Sequence, residues 1–383
     1  MTKTIVSAVR CDRYELEKLK ESISEVLAPL GGLSKYVLPS KKVLLKVNCL
    51  TDARAGKAVT TNPVFLNAVI DMVKECGAEV FVGDSPAIKP LSMVLKKSGM
   101  HDVLTKTGVH AVAFKNSKAV IPHKSDTFHY MEIAGEIDDF DLVINLPKLK
   151  THIQMQLTLA IKNMFGCIVG ARKSQWHLKC GVDRKAFATM LADNYRHISP
   201  ALTILDGIIG MDGNGPVNGR IRHFDVIMAS TDGVAIDSVI SHLAGFDKDE
   251  YLILNAAREK GVGQTDLGKI DFIGGRLEEF IFQNFQKAEA KELETVPIPF
   301  ISARVMKSYF TPRPKQNISN CVLCLECAKI CPPKVIKQKG KRLEFNYDDC
   351  IRCFCCHEIC QHNGIEIYKG LIYRIFSAFG KKT

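Results

Sequence analysis

Two cysteine runs near the C-terminus constrain this chain more than any other feature. The first is Cys321-x2-Cys324-x2-Cys327-x3-Cys331-Pro332, and the second is Cys350-x2-Cys353-x2-Cys356-x3-Cys360. Two residues between cysteines let a tight loop bring three sulfurs around one centre. Thiolate is a soft, anionic ligand that binds iron well, and an iron–sulfur cubane needs four of them. In this spacing the fourth cysteine is carried on into the following turn and serves the other cluster. The doubled run therefore predicts two [4Fe-4S] clusters. One is expected on Cys321, Cys324, Cys327 and Cys360, the other on Cys350, Cys353, Cys356 and Cys331.

Zinc and disulfides are the plainer readings. A lone Cys-x2-Cys pair leaves zinc open, but two four-cysteine runs in one register, with Pro332 closing the first, match the bacterial ferredoxin pattern. Disulfides need an oxidising compartment. The N-terminal apolar stretch is too short for a secretion signal and runs into Asp12 and Arg13. Gln361 replaces the proline in the second run. Cys355 falls outside the register and reads as a packing residue or spare thiol.

At 383 residues the chain should hold two or three domains. No stretch approaches the apolar length of a membrane span. A reducing cytoplasm is the expected location, and oxygen-sensitive clusters suit anaerobic chemistry. Charge is uneven: residues 301–383 hold 15 Lys+Arg against 6 Asp+Glu, while the other 300 residues hold 37 against 35. Two oxidised cubanes, each of formal charge about −2, would offset part of that basicity. The surplus suits docking of an acidic electron carrier such as a flavodoxin, a ferredoxin or a reductase. No nucleic-acid motif or interleaved aromatic pattern is present.

Residues 1–295 alternate apolar strands with helical stretches, predicting an α/β domain with a mostly parallel sheet covered by helices. Strands are expected at 43–47, 79–82, 141–145, 202–206, 224–228 and 269–273. Helices are expected near 14–28, 184–196, 232–243 and 249–260. A further helix opens at Thr61-Asn62-Pro63 and stops at Gly77. A proline-containing connector over 296–316 leads to a small α+β cluster module at 317–370 and a basic tail at 371–383.

In open α/β sheets, ligands sit beyond the carboxyl ends of the strands. Those ends are polar here. Lys46 and Asn48 follow the first strand, Asp84 and Ser85 the next, and Asn145 to His152 another, with Lys162 and Asn163 just beyond. Lys46, Lys148, Lys150 and Lys162 are the candidate catalytic residues, converging on one cleft for an anionic small molecule. One of them, if buried, can serve as a base. Cys49 reads as core, Trp176 as packing or a lid, and Asp232 as a helix cap. The stretch from Gly210 to Gly219 fits neither a calcium loop nor a phosphate loop.

Lys46-x-Asn48, Gly83-Asp84-Ser85-Pro86, Asn145-Leu-Pro-Lys148-x-Lys-Thr-His152, Ile161-Lys-Asn-Met-Phe-Gly166 and the Asp206–Pro216 stretch resemble the family called domain of unknown function 362. Members like this chain carry a C-terminal two-cluster ferredoxin module. The resemblance implies the fold and the cofactor but no reaction, so function must come from the site. The leading expectation is a ferredoxin-coupled reductase acting on an anionic small molecule. An electron carrier or docking subunit without chemistry of its own would show a cleft without titratable pairs, or a flat surface with a large apolar patch. A non-redox, lysine-dependent enzyme with structural clusters would be indifferent to their redox state.

Overall fold

The computed structural model describes residues 3–170, 172–181, 183–289 and 312–368. The expected tail lies outside the described residues, as does the expected connector up to residue 311. Among the described residues no helix is long and apolar enough to cross a membrane.

In chain order the body runs β1 Thr4–Arg10, α1 Leu16–Leu27, β2 Lys42–Lys46, α2 Pro63–Glu75, β3 Glu79–Asp84, α3 Leu91–Ser98, α4 Met100–Thr107 and β4 His110–Ala113. A small hairpin, β5 Ser117–Ala119 and β6 Glu132–Ala134, precedes β7 Leu142–Asn145, β8 Lys148–His152 and β9 Gln156–Thr158. Then come α5 Ala160–Asn163, α6 Arg172–Cys180, α7 Arg184–Ile198, β10 Leu202–Asp212, β11 Arg220–Ser230, α8 Gly233–Leu243, α9 Leu252–Lys260 and β12 Ile270–Ile273.

The central sheet follows the order β12-β1-β11-β10-β7-β2-β3-β4, with β8 and β9 branching from β10. Strands β10, β7, β2, β3 and β4 are parallel to their neighbours in that run, and β1 is parallel to β12. The long β10–β11 hairpin and the β1–β11 pair are antiparallel. The sheet is thus mostly parallel, as the alternation predicts. Val43, Leu45 and Val47 pack with α1 to α4 on one face, while Leu44 points into the opposite core beneath α7, α8 and α9. That period-2 split is what a strand buried on both faces requires.

Helix α2 starts as its sequence dictates. Asn62 accepts a hydrogen bond from the Val64 N–H at 2.8 Å, Pro63 occupies the first turn, and Gly77 follows with a φ of +81°. Its buried Phe65, Leu66, Val69, Ile70 and Val73 each contribute roughly 1.5–3 kcal/mol by leaving water.

Two expectations are corrected. The segment carrying Lys148, Lys150 and His152 is a strand, not a connecting loop. Pro147 interrupts the ladder after β7, and the chain resumes as β8 along the distal half of β10. Asp206 lies within β10 rather than at its end, because β10 continues through the glycines to Asp212. A side chain at Gly210 would collide with the Leu149 carbonyl and the Phe224 ring. The glycines permit close strand packing there, not a turn.

The cysteine-bearing module pairs β13 Arg313–Gln316 with β16 Ile365–Tyr368, and β14 Ile336–Lys339 with β15 Arg342–Phe345. Its two short helices, Glu326–Ile330 and Cys355–Glu358, each begin five residues after the first cysteine of a run. Left-handed backbone recurs at matching positions, Leu323 and Leu325 in one run and Arg352 and Phe354 in the other. The doubled sequence is therefore a doubled structure.

Candidate functional site

The carboxyl ends of β2, β3 and β7 build the floor of the site. Lys46 is sealed from solvent and lies 3.1 Å from Asp84 Oδ1, and its ammonium also donates to the Val47 carbonyl at 2.7 Å. Asp84 accepts from the Cys49 and Ser85 amides, each at 2.7 Å. Gly166 passes directly over this pair. A Cβ there would overlap Asp84 Oδ1 and come within 2.5 Å of Lys46 Nζ.

Three asparagines form a directed chain above it. Asn145 Nδ2 donates to the Ala160 carbonyl at 3.1 Å, and Asn163 Nδ2 donates to Asn145 Oδ1 at 2.8 Å. Asn48 Nδ2 donates to Asn163 Oδ1, and Lys150 Nζ donates to Asn48 Oδ1, both at 2.8 Å. Lys150 also donates to the Val59 carbonyl. Each amide both gives and receives, so the buried network is satisfied and its orientation fixed.

Above this floor is a cavity of about 100 Å³. The body lines it with Lys150, Lys162, Lys173, His152, His177 and Phe165, among others. The cysteine module supplies Ile330, Cys355, Glu358 and Ile359. Burial draws Lys150 down to about 7, helped by the Lys162 and Lys148 charges. Burial likewise takes Lys173 to about 7 against the pull of Asp84, and its ammonium donates to the Ile168 carbonyl. Lys162 is also lowered by burial, opposed by Glu358. Its ammonium lies 5.6 Å above the Phe165 ring, and among the described residues it has no hydrogen-bond or ion-pair partner.

Burial favours the neutral form of both cavity histidines. Burial lowers His152 to about 4 and His177 to about 3, in both cases opposed by Glu358. His152 Nδ1 accepts from the Gln154 and Met155 amides, so its proton sits on Nε2, 3.3 Å from Glu358 Oε1. His177 stacks on Phe187 with ring centroids 4.3 Å apart, and its buried Nδ1 has no partner among the described residues.

The module is fastened to the body around this cavity. Asn218 Nδ2 donates to the Cys360 carbonyl at 2.7 Å, and Gln361 Nε2 donates to Thr51 Oγ1 at 3.2 Å and Asp52 Oδ1 at 2.8 Å. Lys89 pairs with Glu326 at 3.2 Å, and Ile330, Cys353, Cys355 and Ile359 pack on Ala87 and Ile88. Gln361 therefore stands where the first run has proline because its side chain reaches the body.

Within the module, Cys321, Cys324, Cys327 and Cys360 line one small cavity of about 20 Å³. Burial, followed by the neighbouring Cys353 and Cys350 thiols, raises Cys331. Burial and then Cys353, Cys350, Cys327 and Cys331 raise Cys356. Cys331 and Cys356 thus lie near Cys350 and Cys353, and Cys356 also neighbours Cys327. Among the described residues no three metal-ligating side chains converge as they would on a single ion.

The structure brings Lys150 and Lys162 onto one cavity, seals Lys46 beneath it against Asp84, and turns Lys148 away. Lys148 Nζ lies 2.8 Å from Asp206 Oδ2 and 2.7 Å from the Tyr14 hydroxyl, in a separate buried cluster. The register that sets Lys148 opposite Asp206 accounts for this. Cys49 lines the cavity while remaining buried. Sequence reasoning passed over Lys173 and Glu358, and set His177 with Cys180 aside as too small a constellation for a metal site. Only Glu358 carried a usable signal: the matching position in the first run is Lys329, so the two repeats differ in charge there.

Fold and site together define a class: an α/β body whose lysine-lined strand ends are closed over by a small module that carries the two cysteine runs. The chain belongs to the family described as domain of unknown function (DUF362), whose match spans residues 43–242. It is 35% identical over 305 residues to the thylakoid-associated protein sll1697 of Synechocystis sp. (strain ATCC 27184 / PCC 6803 / Kazusa), covering 80% of this chain and 93% of that one. Among solved structures it is similar to the lactate racemase apoprotein from Thermoanaerobacterium thermosaccharolyticum, at 12% identity and a TM-score of 0.42 over 62% of this chain and 56% of that one. A protein from Thermotoga maritima matches at 15% identity and a TM-score of 0.35, over 53% of this chain and 52% of that one.

Proposed function

We propose that the chain is an iron–sulfur electron-transfer protein, a ferredoxin-coupled reductase acting on an anionic small molecule in the cavity. The observation that carries this reading is the shared cavity, lined by lysines from the strand ends on one side and by the cysteine module on the other. The donor set suits two [4Fe-4S] clusters. Cys321, Cys324, Cys327 and Cys360 line one small cavity, and left-handed residues recur at matching positions of both cysteine runs. The Gly364 amide lies 3.1 Å from Cys360 Sγ, a hydrogen bond that eases charge on a cluster-bound sulfur. Bound clusters supply single electrons, delivered by a soluble carrier such as a flavodoxin or ferredoxin.

The remaining roles belong to the chain's own side chains. Lys162 holds the anion. Lys150 and Lys173 sit near neutrality and are suited to exchange the protons that a two-electron reduction consumes. Ile330 and Ile359 exclude water on the module side. The volume is of the same order as the roughly 150 Å³ engineered cavity that accepts benzene, which favours a small molecule over a nucleotide.

The test is anaerobic reduction with dithionite followed by addition of small organic acids, monitored by EPR. A substrate-dependent reoxidation, slowed by Lys162→Gln at unchanged iron content, supports the reading. Reoxidation that ignores every acid tried and is unaffected by Lys162→Gln sinks it.

A further inference from the structure

The most unusual side chain in the cavity comes from the cysteine module, not from the body. Glu358 is 9% exposed, in a cavity lined also by Lys150, Lys162, Lys173, His152 and His177. Its Oε1 is buried without a hydrogen-bond partner among the described residues, although His152 Nε2 lies 3.3 Å away. The module's own architecture does not call for it. The matching position in the first repeat is Lys329, exposed and paired with Glu326 at 3.0 Å. A buried carboxylate normally demands pairing and hydrogen bonds, and this one has neither in full.

Two neighbours are also incomplete among the described residues. The Lys162 ammonium meets the Phe165 ring but no hydrogen-bond or ion-pair partner, and His177 has a buried, unpartnered Nδ1. Three groups that need partners thus surround one cavity. The Glu358 carboxylate shares the cavity lining with His152, Lys162 and His177, and His152 Nε2 faces it at 3.3 Å.

We infer that Lys162 and His177 form a site for the carboxylate of a small organic acid, and that Glu358 is the carboxylate occupying its neighbourhood in this structure. A ligand carboxylate beside Lys162 meets like charge from Glu358, so binding requires the Glu358 side chain to swing aside. Lys162 then pairs with the ligand, and His177 Nδ1 gains the partner it lacks. The site offers side-chain donors rather than a helix N-terminus. Helix α5 is too short for one, and its first amides, Ala160 and Ile161, are taken by Asp237 at 2.8 and 3.1 Å. That favours a carboxylate over a phosphate, which helix amides commonly cradle. Because Glu358 sits two residues from Cys356 and Cys360, occupancy of the site is felt by the module. The inference rests on the cavity being a substrate site, as proposed above, but not on the clusters being redox-active.

Isothermal titration calorimetry on the anaerobically reconstituted full chain tests it, with acetate, propionate and inorganic phosphate as probes. The expected result is weak carboxylate binding to wild type and binding on the order of tenfold tighter to Glu358→Gln, which removes the competing charge. Glu358→Asp, which shortens the side chain but keeps the module's surface, should fall between them and guards against a folding failure of the first variant. Adding Lys162→Gln to Glu358→Gln should abolish the gain. Carboxylate binding no tighter in either Glu358 variant, a gain that survives loss of Lys162, or preference for phosphate would each overturn the inference. Metal content, measured on the same samples, separates these outcomes from failure of the electron-transfer reading.

Discussion

Lys46 Nζ lies 3.1 Å from Asp84 Oδ1, and neither side chain reaches solvent. The pair sits beneath Gly166, where no other residue fits. Breaking such a pair by removing one partner leaves a buried charge uncompensated, which costs about 3–5 kcal/mol. Asp84→Asn should therefore lower the free energy of unfolding by about that amount in urea titration. A loss under 1 kcal/mol would mean the ammonium finds another acceptor, for which the Val47 carbonyl is the neighbouring choice.

Lys150 makes a pH prediction. Burial brings it from 10.5 to about 7. Between those values the unfolded chain holds a proton that the folded chain has released, so stability rises with pH across that window, by up to about 1.4 kcal/mol per unit. Below about 7 both states are protonated and the group adds no further slope. Lys150→Met should flatten the stability profile between pH 7.5 and 9.5 relative to wild type. An unchanged slope would show that Lys150 stays charged in the folded state.

Gln361 ties the module to the body through Thr51 and Asp52. Gln361→Pro restores the residue of the first run and removes both hydrogen bonds made by Nε2. The expected cost is about 1–3 kcal/mol, one bond being ordinary and the other to a charged group. It should appear as faster proteolysis between body and module with metal content intact. Unaltered proteolysis would make the contact incidental.

Cys355 and Cys356 are neighbours with different predicted fates. Cys355 lies outside the ligand register and packs against Ala87 and Ile88. Cys355→Ala should keep the full complement of iron, whereas Cys356→Ala should lose a cluster. Equal losses would show that the register has been misassigned.

Much of this was legible in the sequence, for physical reasons that particular residues make plain. Cysteine spacing is local, so the expected grouping of Cys360 with the first run and Cys331 with the second comes from the sequence, and iron analysis is what tests it. Strand alternation and the Asn62-Pro63 cap placed β2 and α2 to within about a residue. The separation of Lys148 from Lys150 was not legible, because it depends on which strand β8 lies beside and hence on nonlocal register. The glycines after Asp206 looked like a turn, since close strand packing and tight turns both select glycine. Glu358 and His177 acquire meaning only when the module meets the body, a tertiary contact with no local signature.

The most direct test of the central claim is metal and sulfide analysis joined to spin-counting EPR on the dithionite-reduced full chain. The account predicts about eight irons and eight acid-labile sulfides per chain, with one reducible spin on each of two four-iron centres. Zinc in place of iron, about four irons, or a signal from a single centre would contradict it.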